Sequence, residues 1–312
     1  MEISMIPVIY IHRGKTEYLI QVIQQAVKAC GSHNVFLLGD ESNRDCCEKW
    51  FPFSDYVKDE YQRLEKAYVH YSYTGEEYER FCMQRYFIML GFMEKRGWSE
   101  AYLCDSDLLI YEDLSKFPMQ KYDTAFSVCK YPVFYGECAS PHCSYWKRDY
   151  LEDFTKFLVD IYEHQLQLVD TIYHYHCNHD VLWVSAICDM VWLTGWKQQK
   201  VQQGMKFLNM NEESMLAGEN VVWDHNLSVS DNACRNEYCY RRSLHMKKVI
   251  FRKEKPYFFK QGKKSVRTLT LHCQGGKKKY ILLLTRCSNS YLKYLLTNII
   301  DVCKRRILKR SR

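Results

Sequence analysis

The sequence predicts an α/β fold, with one Rossmann-like domain on a mainly parallel central sheet and a basic helix at its C-terminal end. Short apolar runs alternate with amphipathic helical patterns, as in βαβ units. The length of 312 residues is about what one large α/β domain with an appendage needs. Because the sequence shows no internal repeat and no Pro/Gly/Ser-rich linker, we predict one domain over residues 1–285 and the helix over residues 286–312.

The first predicted elements form a βαβ unit. Pro7–His12 is a short apolar strand, and a helical pattern follows it from Glu17 until Gly31. Asn34–Asp40 is a second apolar strand. Because strands joined through a helix run parallel, this unit begins a parallel sheet.

The next elements lead to an acidic segment. Thr74–Glu77 matches a capping box, in which Thr and Glu side chains bond the first backbone N–H groups of a helix. The helix that it would begin runs to Gly97. A third strand follows over Ala101–Asp107, and it ends in Asp105 and Asp107.

Alternating elements continue through the rest of the chain. We predict a fourth strand over Asp123–Lys130 and later strands over Lys247–Lys253 and Val266–Cys273. Helical patterns cover Tyr150–His164 and Asn178–Trp192. This order of elements indicates an α/β protein with a mainly parallel sheet.

The composition is that of an ordinary globular protein, with 47% hydrophobic and 26% charged residues. No stretch approaches the roughly 18 uninterrupted apolar residues of a membrane span, and the N-terminal stretch lacks the pattern of a signal peptide. The odd number of cysteines, 15, fits reduced thiols better than a disulfide framework. We therefore expect a cytoplasmic protein.

Charge is distributed unevenly along the chain. Residues 241–312 hold 22 Lys and Arg against Glu254 and Asp301, a net charge of +20, whereas residues 1–240 carry −13. The basic region should bind anions. Nucleotide phosphates, nucleic acid and an anionic membrane all qualify, and charge alone does not choose among them.

The end of the basic region has the pattern of an amphipathic helix. Its apolar residues recur on one face, and its basic residues lie largely off that face; the apolar positions are Leu292, Leu295, Leu296, Ile299, Cys303 and Ile307. Such a helix docks on anionic headgroups, so we expect peripheral attachment to the inner face of the cell membrane. The alternative is that the apolar face packs on the domain and the basic run is solvated.

Polar residues stand where three predicted strands end. They are His12 and Arg13, then Asp40, then Asp105 and Asp107. Ligands collect at the carboxyl ends of parallel strands. In an extended chain residues i and i+2 point to one side, so the last two acids would present hard oxygen ligands to Mg²⁺ or Mn²⁺. An isolated D-x-D is more often a solvated turn, but apolar residues enclose this one, where uncompensated charge is costly.

A second group of candidate residues lies in Leu271–Tyr280, where His272, Gly275 and Lys278 have the spacing H-x-x-G-x-x-K. A neutral imidazole can be a further metal ligand, a Gly lets the backbone approach a phosphate, and a Lys supplies charge to a diphosphate. Each residue alone is more often structural. Together with the D-x-D, they favour a metal and diphosphate site.

Arg85 lies near the apolar stripe of its helix, where a buried charge needs an anion. A diphosphate would satisfy it, but an ion pair with Glu76 or Glu79 is the more common arrangement. His174–Asp180 contains four candidate zinc ligands, His174, His176, Cys177 and His179, but their spacing does not suit one tetrahedral shell.

Three segments resemble a known family. Tyr102–Leu114 looks like the D-x-D segment of glycosyltransferases with the GT-A fold. Leu271–Tyr280 is similar to the H-x-x-G-x-x-K motif of glycosyltransferase family eight and its relatives. Asn178–Trp183 resembles that family's D-Q-D-x-L-N segment, with Asp180 at the second acid. The matches occur in the family's order and extend over most of the chain.

The resemblance implies a metal-dependent GT-A enzyme that moves a hexose from a nucleotide sugar, expected to be UDP-linked, to a glycan or lipid-linked acceptor. It implies that Asp105, Asp107 and His272 bind Mn²⁺ or Mg²⁺, and that Asp180 lies near the transferred sugar. With the strand ends included, the predicted nucleotide-binding residues are His12, Arg13, Asp40, Arg85, Gly275 and Lys278.

The sequence also departs from family eight. Asn178 replaces the first acid of the D-Q-D-x-L-N segment, and Lys279-Tyr280 stands where Pro-Trp is common. These departures favour a related bacterial transferase of surface polysaccharide synthesis. They also leave open whether the transfer retains the stereochemistry of the sugar. One alternative is a sugar nucleotidyltransferase. That enzyme would need a Gly-rich phosphate loop after the first strand, where this sequence has only Gly14. Another is a basic module that binds nucleic acid or membrane without catalysis, but it leaves the acids unexplained. We expect no nucleic-acid partner.

Overall fold

The computed structural model describes residues 6–179, 187–228, 237–241, 244–262 and 264–287. It forms two compact units. Unit 1 takes its described residues from Met1–Lys15, Asn34–Asp105 and Pro118–Asn211, and unit 2 takes them from Thr16–His33, Ser106–Phe117 and Glu212–Arg312. Among the described residues, no helix combines the length and the apolar composition needed to cross a bilayer.

Unit 1 is built on a seven-stranded sheet. Its strands are β1 (Val8–Ile11), β2 (Val35–Gly39), β3 (Trp50–Pro52), β4 (Glu100–Cys104), β6 (Thr124–Lys130), β7 (Glu137–Lys147) and β8 (Phe207–Asn209), whereas β5 (Leu108–Ile110) belongs to unit 2. Their spatial order is β3-β2-β1-β4-β7-β6-β8. Only β7 runs antiparallel to its neighbours in this sheet. The predicted α/β class with a mainly parallel central sheet is confirmed.

Helices pack on this sheet around an aromatic core. They are α2 (Asp59–Ala67), α3 (Glu76–Arg96), α4 (Arg148–His164), α5 (Leu166–Asn178) and α6 (Asp189–Gln202), whereas α1 (Leu19–Cys30) belongs to unit 2. Trp146 of β7 stacks on Phe154 of α4, with ring centroids 5.6 Å apart. Tyr86 of α3 meets Phe154 edge-on at 4.8 Å. These buried rings fix α3, which carries Arg85, against the sheet.

The predicted end of α3 is confirmed, but its predicted start is wrong. Gly97 ends the helix with a φ of 67°, a left-handed conformation that glycine adopts without steric cost. At the other end the N-cap residue is Gly75, which has no side chain with which to form a capping box. The hydroxyl of Thr74 instead donates to the carboxylate of Glu79, as does Ser72 Oγ at 2.9 Å.

The sequence pattern does not indicate β7, a central strand of unit 1. Its sequence, ECASPHCSYWK, holds a proline and no Val or Ile. Pro141 is tolerated because the pairing of β7 with β6 shifts register between Ala125 and Ser127, opposite this part of β7.

The helix predicted over Asn178–Trp192 is not continuous in the described residues, because Ile187 and Cys188 are not helical. α5 ends at Asn178 and α6 begins at Asp189. α5 (Leu166–Asn178) precedes this predicted helix, and the sequence analysis does not predict it. Residues 180–186 are outside the described part of the chain.

Unit 2 contains α1, a five-stranded sheet and two short strand pairs. The sheet has the order β13-β14-β15-β10-β9, formed by β9 (Ser214–Leu216), β10 (Glu219–Val222), β13 (Val249–Arg252), β14 (Lys255–Phe259) and β15 (Ser265–Thr268). The pairs are β11 (Tyr240–Arg241) with β12 (Met246–Lys247), and β5 with β16 (Thr270–His272). The helix α7 (Ile281–Cys287) follows. The predicted C-terminal helix lies outside the described residues from residue 288 onward, and the domain boundary at residue 285 stays a prediction.

Candidate functional site

Asp105 and Asp107 lie at a turn and not in one continuous strand. β4 ends at Cys104, Ser106 and Asp107 form the turn, and β5 begins at Leu108. The extended alternation from which we predict a shared direction for the two carboxylates is therefore wrong. Asp105 belongs to unit 1 and Asp107 to unit 2.

In unit 2, strand pairing brings Asp107 to His272. β5 runs antiparallel to β16 with Leu108 opposite His272, and Cys273 N donates to Asp107 O at 2.9 Å. His272 Nε2 lies 3.4 Å from Asp107 Oδ1, and Lys278 Nζ lies 3.3 Å from Asp107 Oδ2. Three of the predicted site residues therefore meet, and two of them, Asp107 and His272, are buried.

Lys278 reaches this carboxylate from a short 3-10 helix, Gly275–Tyr280. Gly275 has a φ of 57°, and a Cβ there would meet open space. Glycine is therefore needed at this position for its left-handed backbone and not for a close approach. The ammonium of Lys278 also lies 5.5 Å from the centroid of the Tyr18 ring.

The hydrogen bonds of His272 assign its tautomer. His272 Nδ1 lies 2.7 Å from His225 O, and because a carbonyl oxygen only accepts, Nδ1 must carry the proton. The neutral ring then has its lone pair on Nε2, towards Asp107 Oδ1. That oxygen is buried and makes no hydrogen bond to the described residues. Two lone pairs at this separation repel each other unless a proton or a cation lies between them, so the residues present fit a divalent cation.

The pKa of Asp107 reflects its burial and the neighbouring His272 and Lys278. Burial raises the pKa of the Asp107 carboxyl, but the charge that His272 carries when its ring is protonated, together with the charge of Lys278, outweighs burial and holds this pKa below its usual range. Burial also lowers the pKa of Lys278, and the charge of Asp107 raises it to a net value above its usual one. At neutral pH the carboxylate is therefore anionic and the ammonium is cationic.

In unit 1, Arg85 holds two acids. Its guanidinium donates to Asp105 Oδ1 and lies 3.5 Å from Asp189 Oδ2. Tyr86 OH donates to the same oxygen of Asp189 at 3.2 Å. The interpretation of Arg85 as an ion-pair residue is right, but its predicted partners are wrong. Glu76 pairs with Arg80 instead, at 3.7 Å.

Asp189 is the residue of this cluster that the sequence analysis does not identify. It begins α6 and is 5% exposed. Burial raises the pKa of its carboxyl to about 6, although Arg85 opposes that shift. The sequence does carry a signal, because Asp189 is an acid within apolar residues, the same feature that singles out the D-x-D.

We expect Asp189→Asn to change how stability depends on pH. The folded-state pKa of about 6 lies above the ordinary 3.8, so the folded protein holds the extra proton between about pH 4 and pH 6. The stability contributed by this carboxyl is therefore present below that window and lost as the pH rises through it. Relative to the wild type, the variant should gain about 2–3 kcal/mol of unfolding free energy between pH 4 and pH 7.

Urea unfolding at several pH values measures this difference, with exposed Glu41→Gln as the control. A constant difference between Asp189→Asn and the wild type across the range would show that Asp189 ionises normally in the fold.

The ends of the first two strands meet through Asp40. Gly14 N donates to Asp40 Oδ2 at 2.6 Å, and Ser42 N donates to Asp40 Oδ1 at 3.0 Å. Burial raises the pKa of Asp40, but these hydrogen bonds lower it to a net value below the usual one. Asn43, which the sequence analysis does not identify, donates to the carbonyls of His12 and Gly14 at 3.0 Å. Asp40 therefore has a structural role in joining the two strand ends.

Arg13 points its guanidinium at other residues of unit 1. It forms an ion pair of 2.6 Å with Glu77 and lies 4.6 Å from the centroid of the Phe81 ring. Both Arg13 and Glu77 are exposed, so the pair contributes little stability and a phosphate could displace Glu77. Asp180 lies outside the described residues.

No model of a known protein family and no curated protein matches the sequence. The chain is similar to the solved apo form of mouse xyloside xylosyltransferase 1, at 10% identity over 65% of this chain and 84% of that one, with a TM-score of 0.43. It is also similar to the WbbM bifunctional glycosyltransferase, at 9% identity over 93% of this chain and 52% of that one, with a TM-score of 0.44.

A cytidylyltransferase from Leptospira borgpetersenii is similar at 12% identity over 54% of this chain and 71% of that one, with a TM-score of 0.29. Likenesses at this level fix neither a family nor an activity.

Proposed function

We propose that the protein is a metal-dependent glycosyltransferase of GT-A type. It would move a hexose from a nucleotide sugar, UDP-linked, to a glycan or lipid-linked acceptor in bacterial surface polysaccharide synthesis. The observation that carries the proposal is the group of Asp107, His272 and Lys278 in unit 2. It combines a buried carboxylate oxygen that accepts no hydrogen bond from the part of the chain that the structure describes, a ring nitrogen 3.4 Å from that oxygen whose lone pair faces it in the neutral ring, and an ammonium.

Each part of this group suits one part of a nucleotide diphosphate. From the sequence motifs, we propose that the carboxylate oxygens of Asp105 and Asp107 and a ring nitrogen of His272 hold Mn²⁺ or Mg²⁺. The cation would neutralise charge that grows on the diphosphate as the sugar leaves. Lys278 would add a fixed positive charge to the same diphosphate.

Other predicted residues would complete donor binding. We propose that His12, Arg13, Asp40 and Arg85 lie along the nucleotide, and that the backbone at Gly275 meets the diphosphate. Arg85 is held by Asp105 and Asp189, so its guanidinium has a fixed direction. Asp180 would lie beside the sugar, where a carboxylate stabilises positive charge at the anomeric carbon.

Thermal unfolding with and without Mn²⁺ tests the function. We expect UDP with Mn²⁺ to raise Tm by about 5 °C at saturating ligand, and UDP or Mn²⁺ alone to have smaller effects. Incubation with UDP-hexoses and Mn²⁺ should then release UDP. If the protein instead forms pyrophosphate from UTP and a sugar phosphate, it is a nucleotidyltransferase and the proposal is wrong.

We also propose that the basic C-terminal helix docks the enzyme on the cytoplasmic face of an anionic membrane, beside a lipid-linked acceptor. The amphipathic pattern of residues 292–307 supports this, since each cation near anionic lipid contributes about 1 kcal/mol. The full chain should sediment with anionic liposomes, high salt should release it in part, and a chain ending at Ser288 should stay in solution. Aggregation of the shortened chain, with no binding of the full chain at low salt, would instead show that the helix packs on the protein.

A further inference from the structure

Unit 2 contains a buried ion pair, Lys247 with Asp224, next to His272. Lys247 Nζ is 2.9 Å from Asp224 Oδ1, and their side chains are 2% and 0% exposed. The ammonium of Lys247 also lies between two aromatic rings, 5.0 Å from the centroid of Tyr238 and 5.1 Å from that of Phe258. Neither charge of the pair reaches solvent, so each depends on its protein partners.

The segment that begins at Asp224 holds His272 at three points. Asp224 Oδ2 accepts a hydrogen bond from His272 N at 2.9 Å, and His225 O accepts the Nδ1 proton at 2.7 Å. Leu227 N donates to His272 O at 3.0 Å. Both backbone groups and the imidazole of His272 are therefore held by three residues of the segment Asp224–Leu227.

Lys247 holds this segment in place from the other side. Its backbone N donates to Leu227 O at 2.9 Å, while its ammonium bonds Asp224. Lys247 thus contacts the segment at both of its ends. If Asp224 moved, the carbonyl of His225 one residue later would move with it.

Stability alone is a weak explanation for this pair. A buried ion pair costs about as much in desolvation as it returns in attraction, and apolar residues of the same volume often serve as well or better. A pair of this kind does fix direction, because both charges need defined partners. Asp224 and Lys247 both contact the segment that bonds His272, and Asp224 also bonds His272 N directly.

We infer that Asp224 and Lys247 are positioning residues for His272. Through His225 O they keep the Nδ1 proton in place, so that Nε2 presents its lone pair to Asp107. The use of that lone pair for a cation rests on the proposed function, but the tautomer itself does not.

Nitrogen NMR of histidine-labelled protein at pH 8 reads the tautomer without any metal. We expect the His272 ring of the wild type to be protonated at Nδ1, with its signal assigned from His272→Gln. In Asp224→Asn and Lys247→Met the ring should shift towards a mixture of tautomers. Arg267→Met, which breaks another buried ion pair of unit 2, with Glu112, is the control and should leave the tautomer unchanged.

A double variant separates positioning from folding. Asp224→Leu with Lys247→Met replaces the pair with apolar side chains, so it should unfold close to the wild-type urea midpoint while losing the single tautomer. Its affinity for Mn²⁺, measured by titration calorimetry, should fall about 10- to 100-fold.

The outcomes of these experiments decide whether the ion pair positions His272 or is purely structural. An unchanged tautomer in the folded variants would overturn the positioning role, and so would unfolding of all three variants, because the pair would then be purely structural. A wild type that fails to bind Mn²⁺ but shows the expected tautomer changes would refute the metal site and leave the positioning role standing.

Discussion

Replacing Asp107 with Ala is expected to remove Mn²⁺-dependent UDP binding and turnover while leaving the fold intact. Asp107 supplies two carboxylate oxygens to the site, and its contact with Cys273 uses only the backbone carbonyl. The side chain is therefore needed as a ligand and as a partner of His272 and Lys278, and not for strand pairing. We expect the affinity for UDP with Mn²⁺ to fall by at least about 100-fold.

Calorimetric titration of UDP, with and without Mn²⁺, measures this loss, and circular dichroism reports whether the fold persists. Asp45→Ala is a suitable control, because that acid is exposed and forms an ion pair with Lys15 on the surface of unit 1. A folded Asp107→Ala protein that binds UDP with Mn²⁺ as tightly as the wild type would falsify the metal site.

Lys278→Ala should weaken the binding of UDP far more than that of uridine. The ammonium lies at the Asp107 carboxylate and, by proposal, at the diphosphate, whereas uridine carries no phosphate. A hydrogen bond between charged groups contributes about 1.5–3 kcal/mol, so the dissociation constant for UDP should rise about 10- to 100-fold. The dissociation constant for uridine should change little.

The neighbouring lysine provides a matched control. Lys279 is exposed and lies over its own neighbour Tyr280, with 5.2 Å between the ammonium and the ring centroid. Lys279→Ala changes the net charge by the same amount, so it reports the general effect of charge on an anionic ligand. Equal losses for UDP and uridine in Lys278→Ala, or equal losses in the two variants, would show that Lys278 does not meet the phosphates.

Local patterns predict most elements of the fold but not how distant strands meet. β1, α1, β2, the end of α3, β6 and α4 follow from apolar periodicity and from glycine at helix ends. β7 escapes prediction because its stability comes from two neighbours, β4 and β6, and not from β-forming residues of its own. A central strand can therefore carry Pro141 where its ladder is interrupted.

The candidate site, like the fold, could be predicted from the sequence only in part. The types of residue and their spacing predict that Asp107, His272 and Lys278 act together, and the structure brings these three together. The geometric reason given from sequence, an extended D-x-D, is wrong because the chain turns after β4.

The residues that support the site give a weaker signal or none. Asp224 follows the apolar run Val221–Trp223 and Lys247 begins a predicted strand, but neither pattern shows that the two residues are buried as a pair beside His272. Asp189 could have been found from its apolar neighbours, but its pairing with Arg85 joins residues 104 positions apart. Residues so far apart in the sequence share no local pattern from which their contact could be predicted.

The pairing of β5 with β16 has a consequence for the order in which the protein matures during synthesis. Ile110 pairs with Thr270, so at about 5–20 residues per second a ribosome needs on the order of 10–30 s to make the second strand after the first. Throughout that interval the apolar Leu108–Ile110 strand has no β16 to pair with. Asp107 therefore lies beside an unpaired strand until His272 has been synthesised and pairs with Leu108, so the contact between Asp107 and His272 forms late relative to β5, and the unpaired strand is a suitable binding site for a chaperone.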